Sequence, residues 1–136
     1  MVQKISEPQS RFMYYRNMIK GIWEPFVKPL SCKKSLRYHF QILAAGTVFN
    51  QPALTFDGDI LTRYLLVCGD TTNDVTRTPS IINENGVTVW AGAAHADNAN
   101  YSIPVDVELV GTYTFRLTLS GAAGNIVSDY LTLFLR

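Results

Sequence analysis

Few side chains in this sequence are of types that do covalent chemistry, and their spacing argues against it. His95, Asp97 and Ser102 could supply a base, an orienting acid and a nucleophile. Nucleophilic catalysis needs those groups in mutual hydrogen-bond reach. Here they fall in one loop and the strand start after it, with no Gly-x-Ser-x-Gly elbow to expose the serine, and a solvated loop is the better reading. Asp57, Asp59, Asp70 and Asp74, with Asn73, could offer oxygen to calcium from neighbouring loops, but they lack the run of an EF-hand. Asp-Gly and Gly-Asp are turn formers in any case. His39, His95, Cys32 and Cys68 show no zinc spacing. Gly121-Ala122-Ala123-Gly124 lacks the Lys-Ser/Thr of a phosphate loop. The sequence therefore predicts no catalytic residue, no metal, no cofactor and no enzyme.

The thiols point to the compartment of synthesis. Cys32 lies beside Lys33 and Lys34, which favour thiolate, and Cys68 ends an apolar run where burial is expected. Two unpaired thiols fit a chain made in a cytosol. No apolar h-region precedes Arg11, Arg16 and Lys20, and no apolar stretch approaches the roughly 20 residues of a membrane helix, so neither a secretory signal nor a membrane span is expected.

Binding chemistry is concentrated at the N-terminus. The net charge of +1 conceals a division. Residues 1–37 carry eight basic groups (Lys4, Arg11, Arg16, Lys20, Lys28, Lys33, Lys34, Arg37) against Glu7 and Glu24, whereas residues 38–136 carry four basic groups against nine acids. The first segment is built to meet an acidic surface: its own domain, another copy, a partner protein or nucleic acid. Between Ser10 and Trp23, the residues Phe12, Tyr15, Ile19, Ile22 and Trp23 recur near helical spacing, with Arg11, Arg16 and Lys20 on the complementary face. Ser10 is a candidate cap and Pro25 a stop. Phe26, Val27, Pro29 and Leu30 then read as an extended stretch. Arginine interleaved with aromatics over residues 11–16 also suits nucleic acid, but the basic density is modest and the remainder is acidic.

From Leu36 the hydrophobic period changes to two. Leu36–Ile42 alternates as a strand. Thr47–Phe56, with Pro52, reads as an edge or irregular strand. Asp57-Gly58-Asp59 is a turn signal, and Ile60–Cys68 a central strand. Ser80–Asn83 and Val87–Ala91 flank Asn83-Glu84-Asn85-Gly86, the best hairpin signal in the chain. Tyr101–Val107, Thr112–Leu119 and Leu131–Leu135 complete the set. The division expected is an arm over residues 1–35 and a β domain over 36–136. The fold class is all-β, an antiparallel sandwich of about seven strands behind a basic arm containing a short helix.

The run Val110-Gly111-Thr112-Tyr113-Thr114-Phe115-Arg116-Leu117-Thr118-Leu119 resembles the penultimate strand of immunoglobulin-like domains, with a glycine-rich loop and a last strand after it. The resemblance covers residues 80–136 and implies an immunoglobulin-like or jelly-roll-like sandwich. Gln41-Ile42-Leu43-Ala44-Ala45-Gly46, the Asn-Gly hairpin, and Leu117-Thr118-Leu119-Ser120-Gly121 through Arg136 resemble small virion accessory proteins of tailed bacteriophages, among them head-decoration or cement proteins and adaptors. That family implies a β domain seated on a capsid and a terminal arm clamping neighbouring shell subunits, in a homo-oligomer or symmetric assembly, within a virion made in the host cytoplasm. No motif of the family fixes single residues. The residues expected to meet a partner protein are those of the arm: Arg11, Phe12, Tyr15, Arg16, Ile19, Lys20, Ile22, Trp23, Phe26, Lys33 and Lys34. Two other readings remain open. One is a glycan- or small-ligand-binding sandwich using loops 69–79 and 92–100 with Trp90 and Tyr101. The other is the coat protein of a small virus, with the arm on packaged nucleic acid.

Overall fold

A computed structural model of the chain describes residues 34–136. The expected helix over 10–23, the extended stretch after it and Cys32 lie outside the described residues. Seven strands account for most of the rest: β1 (Lys34–Ile42), β2 (Val48–Asn50), β3 (Leu54–Val67), β4 (Arg77–Asn83), β5 (Thr88–Ala91), β6 (Asn100–Leu119) and β7 (Val127–Leu135). All pairings are antiparallel. The hydrogen-bonded order is β1-β7-β3-β6-β4-β5, and β2 pairs separately with β6.

Two expected interruptions are absent, for one reason. Asp57-Gly58-Asp59 is a bulge inside β3, where Asp57 opposes Val110, Asp59 opposes Leu109 and Gly58 (φ +89) is the unpaired extra residue. Beside it, Gly111 (φ +115) opposes Phe56 and bends β6 without ending it. The runs Tyr101–Val107 and Thr112–Leu119 are thus halves of one strand of 20 residues. Bulge and glycine lie at the same level, so the two longest strands turn together and pass from one leaf of the sheet to the other.

The leaves face each other across the core. Tyr38 on β1 meets Phe115 on β6 at 5.5 Å between ring centroids, and Tyr64 on β3 meets Trp90 on β5 at 5.8 Å, although neither pair of strands is hydrogen-bonded. Alternate residues of one leaf (Phe40, Ile42, Tyr64, Leu66, Leu131, Leu133) and of the other (Ile81, Phe115, Leu117, Leu119) form the buried cluster. Each fully buried aliphatic side chain contributes roughly 1.5–3 kcal/mol. Removing one whose neighbours cannot collapse, such as Leu66 or Leu117, costs about 3 kcal/mol.

Candidate functional site

At one end of the sandwich, the loops after β3, β5 and β6 converge on a buried cation. Arg77 begins β4, where an outward polar residue would be ordinary for a strand start, yet it is 0% exposed. Its Nε donates to Asp129 Oδ2 at 2.7 Å and its Nη2 to Asp129 Oδ1 at 3.1 Å, a forked pairing across the interior to β7. Its Nη1 donates to the Val75 carbonyl at 2.8 Å and to Asp97 Oδ1, and its Nη2 also donates to the Gly69 carbonyl at 2.9 Å. Asp97 in turn accepts from the Thr71 hydroxyl at 2.7 Å and from the Thr71 amide. Burial raises the Asp97 carboxyl, but the bonds from Arg77 and Thr71 outweigh it and hold it below the ordinary aspartate value. Burial also works against the guanidinium, and the hydrogen bonds it donates to Asp129 and Asp97 reverse the balance and strengthen its hold on the proton.

Two further buried groups border this network. Cys68 is a free, buried thiol. Burial first, then the charges of Asp129 and Asp97 against the opposing charge of Arg77, push it up to about 12, so it is protonated and unreactive near neutrality. His95 exchanges both backbone hydrogen bonds with Arg77, at 2.9 and 2.7 Å. Its ring stacks on Tyr101 at 4.5 Å, and its Nε2 lies 2.6 Å from the Tyr64 hydroxyl. Burial lowers the imidazole below its ordinary value.

These contacts decide several sequence-based readings. His95, Asp97 and Ser102 do not form a triad: His95 bonds Tyr64, Asp97 bonds Arg77 and Thr71, and Ser102 accepts from Arg63 Nη1 at 3.0 Å. Of the carboxylates considered for calcium, Asp57 and Asp59 lie at the β3 bulge. Asp70 and Asp74 instead join Asp97, each offering one oxygen within 4.8 Å of the others, beside an open hollow lined by Asp70, Thr71, Thr72, Asp74 and Asn125. One of these three carboxylates, Asp97, is already committed to Arg77 and Thr71. Trp90 meets Tyr64 in a T-shaped contact, one face of Tyr101 is stacked on His95, and both rings are half-buried. His39 is exposed, stacked on Tyr130 at 5.0 Å with Nε2 2.9 Å from Ser128 Oγ.

Of the expected partner-binding residues, only Lys34 is described. It opens β1, and its Nζ lies 3.2 Å from Asp59 Oδ2. The other arm residues lie outside the described residues. Sequence reading missed Arg77 and Asp129 altogether. The only signal was a charged residue at the inward phase of each strand, visible once the partners are known.

No family model matches the chain, and no curated protein matches it. Among solved structures, the chain is similar to one from the Bacillus endospore appendages, disulfide-linked pili, with 15% identity, a TM-score of 0.51 and coverage of 76% of this chain and 84% of that one. A chain of infectious bursal disease virus, Gx strain, aligns at 11% identity and TM-score 0.43 over 76% of this chain, which spans only 32% of the viral one. A CBM4 chain aligns at 13% identity and TM-score 0.39, over 74% of this chain and 78% of that one. At such identities the likeness to the appendage chain concerns the fold alone: a seven-stranded, all-β antiparallel architecture.

Proposed function

We propose that this chain is a non-enzymatic structural protein of a virion, a capsid decoration or adaptor module. Residues 36–136 form its β-sandwich, and the arm over residues 1–35 anchors it to neighbouring subunits. The observation that carries this reading is the charge division sharpened by burial. Arg77, one of the few cations of the β domain, is spent inside on Asp129 and Asp97. Asp57, Asp70, Asp74, Glu84, Asp106 and Glu108 remain exposed, an acidic surface suited to a cationic arm from a neighbour. Large apolar arm residues such as Phe12, Tyr15, Ile19, Ile22, Trp23 and Phe26 supply the binding free energy. Arg11, Arg16, Lys20 and Lys33 steer and set the register.

The test keeps the chain whole. Phe12→Ser, Ile19→Ser and Trp23→Ser are introduced together, and sedimentation velocity is compared with that of the unaltered protein. The expected result is an oligomer for the unaltered chain and a 15.2 kDa monomer for the variant, with the same circular dichroism. An unaltered chain that is itself monomeric at high concentration, or a variant that assembles equally well, sinks the anchor.

A further inference from the structure

The longest strand is paired on both sides over only part of its length. From Tyr113 to Leu119, β6 has β4 on one flank, and Val48–Asn50 of β2 pairs with Arg116–Thr118 on the other. From Asn100 to Tyr113 its second flank is taken by β3. Among the described residues, no strand pairs with its first flank from Asn100 to Thr112. Along this open edge Tyr101, Ile103, Val105 and Val107 are half-buried against the core, while Ser102, Pro104, Asp106 and Glu108 are exposed. An edge with a row of free backbone groups and half-covered apolar side chains is a template for one more strand. Pro104 and the two acids restrict which strand it accepts.

We infer that the occupant is the Phe26–Leu30 stretch of a second copy of this chain, added alongside Asn100–Leu109 of β6. The inference rests on the proposed role of the arm and specifies where it docks. Three observations select this occupant. The first is charge: the edge presents Asp106 and Glu108, and the stretch contains Lys28 and lies between Glu24 on one side and Lys33 and Lys34 on the other, a net positive segment. The second is proline parity. Backbone N–H groups alternate sides along a strand, so in an added strand Phe26, Lys28 and Leu30 would donate towards one edge, and Pro25, Val27 and Pro29 would face the other. Both prolines then fall where no donor is needed, and they close the new edge against further addition.

The third observation places the strand on a neighbouring copy. Lys34 pairs with Leu135, Leu135 with Leu61, and Leu61 with Val107, so the start of β1 and this part of β6 occupy opposite borders of one leaf. A strand added beyond β6 stands four strand spacings from β1, about 19 Å. The four Cα steps from Leu30 to Lys34 reach at most about 14 Å. The stretch is too short to reach its own edge, so the occupant comes from a second copy, and such a head-to-tail contact can propagate.

The test is a charge swap in the full-length chain. One variant carries Asp106→Lys and Glu108→Lys, the other Lys28→Glu and Lys33→Glu. Each alone is expected to weaken self-association roughly tenfold or more in sedimentation equilibrium, with melting unchanged. Mixing the two restores assembly, because reversed arms meet reversed edges and native arms meet native ones. If the edge variant assembles normally while the arm variant does not, the docking site is elsewhere and the anchoring role of the arm survives. If neither variant matters, both ideas fail. Weakening in both without recovery on mixing also overturns the contact, since the two sets of charges would not face each other.

Discussion

The two ends of the sandwich are held by opposite means. At the hairpin end, Asn83 and Gly86 close the β4–β5 turn with local bonds: Asn83 Oδ1 accepts the amides of Asn85 and Val87, and the Gly86 amide donates to the Asn83 carbonyl. Nothing distant is needed. At the loop end, Arg77 gathers Asp129, 52 positions away, and Asp97, 20 positions away, with Gly69 and Val75 between them. A local turn can be lost with little consequence. A buried ionic hub cannot, because each partner's desolvation is tolerated only while the others are present. The loops that converge on Arg77 are thereby tied to one another and to β7.

The largest expected effect tests that contrast directly. Arg77→Met leaves Asp129, which is 0% exposed, without its cation, and should lower unfolding stability by about 3–5 kcal/mol in urea titrations. Arg77→Met combined with Asp129→Leu should recover part of that loss, since the apolar pair removes the stranded Asp129 charge while Asp97 and the Gly69 and Val75 carbonyls still lack the guanidinium. Failure of the double variant to recover would mean that the hub contributes net binding energy beyond mutual compensation.

A matched pair of glycine substitutions compares the ends at finer scale. Gly86 (φ +79) has nothing within 4 Å of an added Cβ, so Gly86→Ala should cost about 1 kcal/mol of backbone strain alone. Gly124 (φ +87) would place its Cβ 2.9 Å from Asn73 Nδ2 and 3.2 Å from Thr72 Cβ. Gly124→Ala should therefore cost about 2–3 kcal/mol, strain plus crowding. Equal losses in thermal melts would show that the loop end yields as readily as the hairpin.

What could be read from the sequence divides along the same line. Period-two alternation marks the strands beginning near Leu36 and Tyr101, and Asn-Gly marks the hairpin with Ser80–Asn83 before it, because both signals are local. The same reasoning broke β3 at Asp57-Gly58-Asp59, where the glycine serves a bulge. Local rules cannot tell a bulge from a turn when the deciding partner, Val110, is more than fifty residues away. The hub was illegible for a related reason. Arg77 and Asp129 both precede the strand signals that begin at Ser80 and Leu131, so neither falls within a recognised alternation. Only the facing of two leaves reveals that both point inward. Cys68 was legible, since its apolar run already implied burial.

Acid should weaken the loop end selectively. His95 is held neutral by burial, so as pH falls past the ordinary histidine value of about 6.5 the unfolded chain takes up a proton that the folded chain refuses. Stability is complete above that pH and declines below it. Asp97, held below its ordinary value by Arg77 and Thr71, adds a second decline beneath about pH 4. His95→Gln should flatten the first decline in a melting-temperature profile between about pH 7 and 5 and leave the second. A profile unchanged by the substitution would remove His95 from the acid response.

The smallest effect isolates the partner principle within one residue type. Tyr38 and Tyr64 both turn a ring into the core, and burial raises both phenols. Tyr64 has a hydrogen bond to His95 Nε2, whereas the Tyr38 hydroxyl is buried with no hydrogen-bond partner among the described residues. Removing an unsatisfied hydroxyl relieves its desolvation penalty, and removing a satisfied one strands its partner. Tyr38→Phe should therefore stabilise the protein by up to about 1 kcal/mol, and Tyr64→Phe should destabilise it by about 1–2 kcal/mol. Changes of the same sign in the two variants would show that ring packing, and not the hydroxyl's partner, governs both sites.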